Sequence, residues 1–310
     1  MVEIVVLSGK GGSGKTSVTA ALARAWSKTE KILLCDYDVD APDLHIILNP
    51  DVKETHEFVS GTVAEFVEDE CIDCGQCLEF CKFDAISYNE DEGVYAVDET
   101  ACEGCTVCRA LCPMDAFKNV PRHCGQYFVS ETRFGPFIHA QLTPGSENSG
   151  RLITVLKELA RDKARAEKID LILSDGTPGI GCPVISSLSN ATLVCAVVEA
   201  TASGIADFER LAELAKHFRL PVAAIINKAD LHPEEALHAK KVLEEVGATV
   251  LGDIPFTPVF TAAMSRGEAI GETPSELDQK FEDFARQLKN LAESSSRARR
   301  FIPIKEKQTK

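Results

Sequence analysis

Residues 3–26 read EIVVLSGKGGSGKTSVTAALARAW, and this stretch decides the fold. An apolar run, a glycine-rich loop and an apolar-periodic segment follow one another, the pattern of a buried strand, a tight turn and an amphipathic helix. Within it Gly9–Thr16, GKGGSGKT, fits G-x4-G-K-[ST] in full. Glycines let backbone N–H groups turn inward around phosphates, and the helix that follows offers its N-terminus to the same anion. Gly11, Gly12, Ser13 and Gly14, with Ser17 just beyond, would form the cradle. Lys15 would reach the β- and γ-phosphates, and the Thr16 hydroxyl would hold Mg2+. An ordinary glycine-rich turn is the competing reading, and the strand before and helix after weigh against it.

Outward from this loop the pattern repeats. KILLCDYDVD (31–40) is a second buried strand ending in carboxylates, and IDLILSD (169–175), TLVCAVVEA (192–200) and PVAAIINKAD (221–230) are further short apolar runs. Helical stretches lie between them, such as FERLAELAKHF (208–218) and PEEALHAKKVLEEV (233–246). Strands alternating with helices predict an α/β fold, a mostly parallel sheet with helices on both faces.

The whole chain of 310 residues carries 33 Lys+Arg against 48 Asp+Glu, a net charge of −15, and is 45% hydrophobic. That is ample material for a core and excludes wholesale disorder. The negative balance argues against nucleic acid as a partner. No apolar run approaches the roughly 18 residues of a spanning helix, so stable membrane insertion is not expected. Residues 1–8, MVEIVVLS, carry Glu3 and no basic run, so a targeting segment is not expected and the cytoplasm is the expected location. The charge is uneven: residues 66–117 hold thirteen Asp/Glu and only Lys82 and Arg109, so this segment carries −11 and the remainder −4. The predicted organisation is one α/β domain over 1–62 and 120–292, an inserted small α+β domain over 63–119, and a basic mobile tail over 293–310. An amphipathic membrane helix is not expected in that tail, which holds a proline and few apolar residues.

Eight of the twelve cysteines lie in the insertion, as C71-x2-C74-x2-C77-x3-C81 and C102-x2-C105-x2-C108-x3-C112-P. This is the bacterial ferredoxin run written twice, in which the fourth cysteine of each run serves the other cluster. Cys71, Cys74, Cys77 and Cys112 should hold one [4Fe–4S] cluster, and Cys102, Cys105, Cys108 and Cys81 the second. CKFDAI and CPMDAF follow at the same offsets, so the segment is an internal repeat, with Lys82 replacing the usual proline. Zinc is the competing metal for paired C-x2-C motifs. A zinc site has no use for eight cysteines, the x3 spacing and the repeat.

With Lys10 as a second lysine, the loop resembles that of the deviant Walker A class of P-loop NTPases, the MinD/ParA/nitrogenase-iron-protein group. The resemblance spans residues 1–60 and 122–290. It implies an ATPase that uses ATP and Mg2+ and forms an ATP-dependent homodimer, with Lys10 reaching across to the partner's phosphates as an arginine finger does elsewhere. No role for Lys10 within its own chain is expected once Lys15 occupies the phosphates. The resemblance further puts Asp36 near the Mg2+ shell and makes Asp38 the carboxylate that orients the attacking water, with Asp40 as a second candidate. Asp175 of DGTPGIG (175–181) becomes the second-switch carboxylate, and Gly176 and Gly179 give that switch backbone freedom. Asn227 of NKAD would bind the adenine edge, with Pro255 and Phe256 packing on the base; capping of the loop that follows the strand is the competing reading of NKAD. The chain also resembles MinD-like ATPases with an inserted ferredoxin domain.

Cys182 lies seven residues after Asp175, where relatives of the nitrogenase iron protein ligate a cluster shared across a dimer. The second ligand position is Asn148 here, and Cys124 is a substitute candidate. Cys35 and Cys195 fall in apolar strands and are expected in the core. No C-terminal C-x-x-C of the Mrp cluster-carrier type follows Cys182. The leading expectation is therefore nucleotide-gated electron transfer through two [4Fe–4S] clusters to an unidentified redox partner. The alternatives are an assembly or transfer factor for an iron–sulfur or other metal cofactor acting on a client protein, and a redox-sensing positioning ATPase.

Overall fold

The computed structural model describes residues 1–300, with side chains through Arg297. Eleven strands are described: β1 (Val2–Ser8), β2 (Ile32–Asp36), β3 (Asp51–Phe66), β4 (Ile86–Asn89), β5 (Val94–Val97), β6 (Phe117–Thr132), β7 (Gly135–Leu142), β8 (Leu171–Pro178), β9 (Leu193–Glu199), β10 (Val222–Asn227) and β11 (Thr249–Ile254). The α-helices are α1 (Lys15–Ser27), α2 (Leu44–Leu48), α3 (Gln76–Phe80), α4 (Val107–Leu111), α5 (Ser149–Glu167), α6 (Cys182–Leu188), α7 (Ala202–His217), α8 (Pro233–Glu245), α9 (Pro258–Met264) and α10 (Asp278–Arg300). The stretch expected to be a tail, 293–310, thus begins inside α10, and residues 301–310 lie outside the described residues.

The chain divides into two compact units. The first comprises Met1–Thr55, Tyr127–Gln141 and the chain from Ser149 onward. Its strands run in the order β11-β10-β9-β1-β8-β2-β7, with the end of β6 beside β7. The pairs from β11 to β7 are parallel. β1 shows why helices cover both faces: Ile4 and Val6 join one core with Leu22 and Trp26 of α1 and Phe281 and Leu288 of α10. Val5 and Leu7 join another with Phe208 and Leu211 of α7 and Leu243 of α8. Alternate side chains leave opposite faces of a strand, so a strand buried on both sides reads as an unbroken apolar run.

Parallel pairing also gathers the carboxyl ends of the strands along one edge, where ligands bind in open α/β sheets. Register places Val6 and Asp36 opposite Asp175, and Asn227 opposite Glu199. The mostly parallel α/β sheet expected from the sequence is the one observed.

The second unit comprises His56–Gln126 and Leu142–Asn148. In it β3 lies beside β6, and β4 and β5 form an antiparallel hairpin. Its core is small: Val63, Ala85, Ile86, Tyr95 and Phe117 are buried, and Phe66 packs against Tyr95 and Phe117 at centroid separations of 5.8 and 5.3 Å. The sequence repeat reappears in the backbone. Asp73 and Gly104, Gly75 and Thr106, and Asp84 and Asp115 hold equivalent places in the two halves, and all six have positive φ. Such turns aim successive N–H groups to one side.

Candidate functional site

The loop after β1 is built against the end of β10. Gly14 has φ 91°, and a Cβ there would lie 2.4 Å from the Asn227 amide nitrogen. That nitrogen donates to the Ser13 carbonyl at 2.7 Å, and the Asn227 side-chain oxygen accepts from the Lys228 N–H at 3.0 Å. Lys228 Nζ donates to the Gly12 carbonyl at 3.1 Å. Asn227, expected at an adenine edge, is only 6% exposed and has both ends of its amide engaged, one by the loop and one by Lys228. In this arrangement Asn227 holds the glycine loop from behind. Asp230, of the same motif, accepts from the Phe256 N–H. This fixes the Pro255–Phe256 segment between β11 and α9 and leaves Phe256 58% exposed.

In front of the loop Lys15 stands among carboxylates. Its Nζ lies 2.9 Å from Asp175 and 3.7 Å from Asp38. Thr16 Oγ1 donates to one oxygen of Asp175 at 2.7 Å, and Thr19 Oγ1 to the other at 2.9 Å. Buried Asp36 accepts from the N–H groups of Asp38 and Leu44 at 3.0 and 3.3 Å, which shapes the turn after β2. Burial pushes Asp36 well above the ordinary carboxylate range, with Asp175 adding to this and Lys15 opposing it. Asp38 is raised by burial in the same way. Burial pulls Lys15 down, but Asp175, Asp36 and Asp38 together outweigh it and hold the ammonium above its ordinary value. Three carboxylates thus face one lysine in a poorly solvated space, an excess of negative charge that suits a divalent cation. The buried Ser13 hydroxyl has no hydrogen-bond partner, and Lys15 Nζ has its ion pairs but no well-aligned acceptor. Asp40 is exposed.

Lys10 is not free. Its Nζ pairs with Glu199 at 2.6 Å and reaches Ser203 Oγ at 3.2 Å and Thr201 Oγ1 at 3.5 Å. Lys228 binds the other Glu199 oxygen at 3.1 Å. The hydrogen bond from Lys10, with Lys228 adding, keeps the Glu199 carboxyl below its ordinary range. The expectation that Lys10 has no role within its own chain is corrected by this pair. Thr19, Glu199 and Lys228 were not singled out from the sequence. Thr19 lies one helical turn after Lys15 and so shares its face. Glu199 carries no comparable signal, being one carboxylate at the end of an apolar strand.

In the second unit Cys81, Cys102, Cys105 and Cys108 line one cavity, with Ala64, Phe83, Ile86 and Val97 among its apolar walls and Glu103 and Thr106 also lining it. Cys71, Cys77 and Cys112 pack on the same small core, and Cys74 is exposed. Backbone N–H groups point at three of the sulfurs: Asp73 to Cys71 at 3.4 Å, Ala64 to Cys102 at 3.5 Å and Ala116 to Cys112 at 3.3 Å. Among the described residues no three His, Cys, Asp or Glu side chains converge at single-ion distances. Cys124 is buried, with its thiol 3.3 Å from the Ser60 carbonyl, which speaks against the ligand role considered for it. Cys182 is exposed at the start of α6. Cys35 and Cys195 lie in the core, where burial pushes each thiol up to about 12. Among the described residues no helix is long and apolar enough to cross a membrane.

Comparison with known proteins agrees with this layout. An uncharacterized protein of Methanocaldococcus jannaschii is 34% identical over 232 residues, covering 75% of this chain and 80% of its own. The septum site-determining protein MinD of Pyrococcus horikoshii, solved with Mg-ADP, superposes with a TM-score of 0.59 over 95% of this chain and 98% of its own, at 19% identity, a likeness of fold. The cytosolic Fe-S cluster assembly factor nubp2 of Xenopus tropicalis is 37% identical over only 68 residues, 22% of this chain and 25% of its own. Residues 4–270 match the CobQ/CobB/MinD/ParA nucleotide-binding domain, and with the glycine loop of β1 and the carboxylates at the ends of β2 and β8 this makes the chain a member of that P-loop family.

Proposed function

We propose that this protein hydrolyses MgATP and uses the cycle to gate electron transfer through two [4Fe–4S] clusters to a partner redox protein. The observation that carries the reading is the cavity lined by Cys81 together with Cys102, Cys105 and Cys108. Those four thiols are the set expected for one cluster. An apolar wall with amides aimed at sulfur suits an anionic iron–sulfur centre. Cys71, Cys74, Cys77 and Cys112 form the equivalent set for the other, and the clusters supply one-electron storage when bound.

In the nucleotide site, Lys15 gives the β- and γ-phosphates their cation, and Asp175 fixes the hydroxyl of Thr16 for Mg2+. Asp38, 3.7 Å from Lys15, is the acceptor that orients an attacking water. Exposed Phe256 offers the base an apolar face. Lys10 serves the partner's site in a nucleotide-dependent homodimer.

The partial similarity to an Fe-S cluster assembly factor favours a second reading, delivery of a cluster to a client. Loading with radioactive iron separates the two. Anaerobically prepared protein should contain about eight irons per chain and keep them through repeated MgATP turnovers in the presence of an apo-protein acceptor. Iron that leaves with MgATP turnover would favour delivery, and stoichiometric zinc with little iron would end both readings.

A further inference from the structure

Lys10 rests in an electrostatically poor place. Its ammonium sits at the N-terminus of the 16-residue α7, where the helix dipole is positive. The Thr201 hydroxyl that it touches is already the cap of that helix, accepting from the Gly204 N–H at 3.1 Å. Among the described residues Glu199 is the carboxylate that pairs with the lysine there, and the pair is only partly shielded, with side chains 33% and 18% exposed. A cation in bulk water would not choose this position.

The pair is also built to open cheaply. Glu199 is shared with Lys228, so its carboxylate keeps a partner when Lys10 departs and no orphaned charge is left behind. Lys228 holds the Gly12 carbonyl throughout, so the glycine loop keeps its support. The main chain before Lys10 is packed closely on α7: a Cβ on Gly9 would lie 2.2 Å from Asp207 Cβ. With the loop so seated, rotation of the Lys10 side chain is enough to open the pair.

We propose that Glu199 is a positioning residue that parks Lys10 on α7 in the single chain, and that opening of the Lys10–Glu199 pair releases Lys10 to the nucleotide of a second copy. This rests on the nucleotide-dependent dimer proposed above. The parked lysine keeps an unpartnered chain from completing its site, and a second nucleotide-loaded copy offers the ammonium a triphosphate in place of one carboxylate. Two pairs open for each dimer formed.

The test uses the full chain in an Asp38→Ala background, so that MgATP is retained. Dimer dissociation constants at saturating MgATP are measured by sedimentation velocity with and without Glu199→Gln. Each pair is worth roughly fivefold, so the substitution should tighten the dimer by about 25-fold. It should leave binding of a fluorescent ATP analogue by the monomer within about twofold. With Lys10→Ala also present, Glu199→Gln should have no further effect, a loss of additivity that a merely structural Glu199 would not produce. Ser203→Ala, which removes a weaker partner of Lys10, should move the constant the same way by about twofold, and keeps the question open to test if Glu199→Gln fails to fold. A parent that dimerises but is indifferent to these substitutions overturns the latch alone. The same holds for a parent whose dimer tightens equally without Lys10. A parent that stays monomeric under MgATP overturns the dimer and the latch together.

Discussion

Lys15 and Asp38 sit 3.7 Å apart, and the proposed mechanism gives them different work, so their removal should separate binding from turnover. Lys15→Ala takes away the one cation among three carboxylates, and nucleotide binding should weaken by at least about a hundredfold, since a buried charge contact is lost and the negative excess grows. Asp38→Ala removes the more distant of the two carboxylates paired with Lys15 and leaves the nearer one, Asp175 at 2.9 Å. It should therefore bind MgATP as tightly as the wild type, or more tightly, while hydrolysis falls by about a hundredfold or more. Titration with a fluorescent nucleotide and phosphate release measure the two effects, and equal hydrolysis rates in Asp38→Ala and wild type would remove the water-orienting role. The residues of this site were mostly legible before the structure because they cluster in short motifs: eight consecutive positions give the loop, and one carboxylate ends each neighbouring strand. Glu199 and the contact of Asn227 with the loop were missed for one physical reason. Glu199 meets Lys10 across 189 residues of chain, and the Asn227 amide meets the Ser13 carbonyl across 214. Such pairings are made by strand order, which no local pattern encodes.

Among the strands that the sequence did not announce, β3 and β6 are the longest. Each is 16 residues long, yet most of β3 is exposed and polar, DVKETHEF carrying no alternation of apolar side chains. Strand signals are strongest where one face is buried, and this length of β3 buries little. β7 behaves differently and carries its own test. His139 on β7 is buried and stacked on Phe137 at 4.4 Å and Phe128 at 4.9 Å, with Ser130 Oγ 3.0 Å from its Nε2. Burial, with His45 nearby, pushes it down to about 4. A histidine lowered in the folded state contributes stability that is fully present above its unfolded value of 6.5. That stability is lost as pH falls toward 4, because the unfolded chain takes up the proton and the folded chain does not. The gap allows a loss of up to about 3 kcal/mol. His139→Gln keeps a hydrogen-bonding side chain without a titrating ring. Urea unfolding at pH 7 and pH 4.5 should show the stability gap between wild type and variant narrowing by about 2 kcal/mol at the lower pH. A gap independent of pH would show that His139 is charged, or equally protonated, in both states.

For the whole molecule, the joining of a P-loop fold to an eight-cysteine segment is the feature with most consequence. The family assignment covers the nucleotide site, and the two-cluster reading rests on the repeat and on the four-cysteine cavity. Both parts were visible as motifs, whereas coupling between them has no sequence signature. Coupling between two sites is reciprocal, so a nucleotide that alters the clusters must itself bind differently to the oxidised and reduced protein. The most direct measurement is a redox titration of the anaerobic protein followed by low-temperature EPR, with and without MgATP, in the wild type and in Lys15→Ala. Nucleotide-gated electron transfer predicts [4Fe–4S] signals whose midpoint potential moves on adding MgATP. A shift on the order of 60 mV corresponds to a tenfold change in a one-electron equilibrium. Lys15→Ala should show the same signals and no shift. Signals that titrate at one potential with and without MgATP in the wild type would contradict nucleotide gating of the clusters.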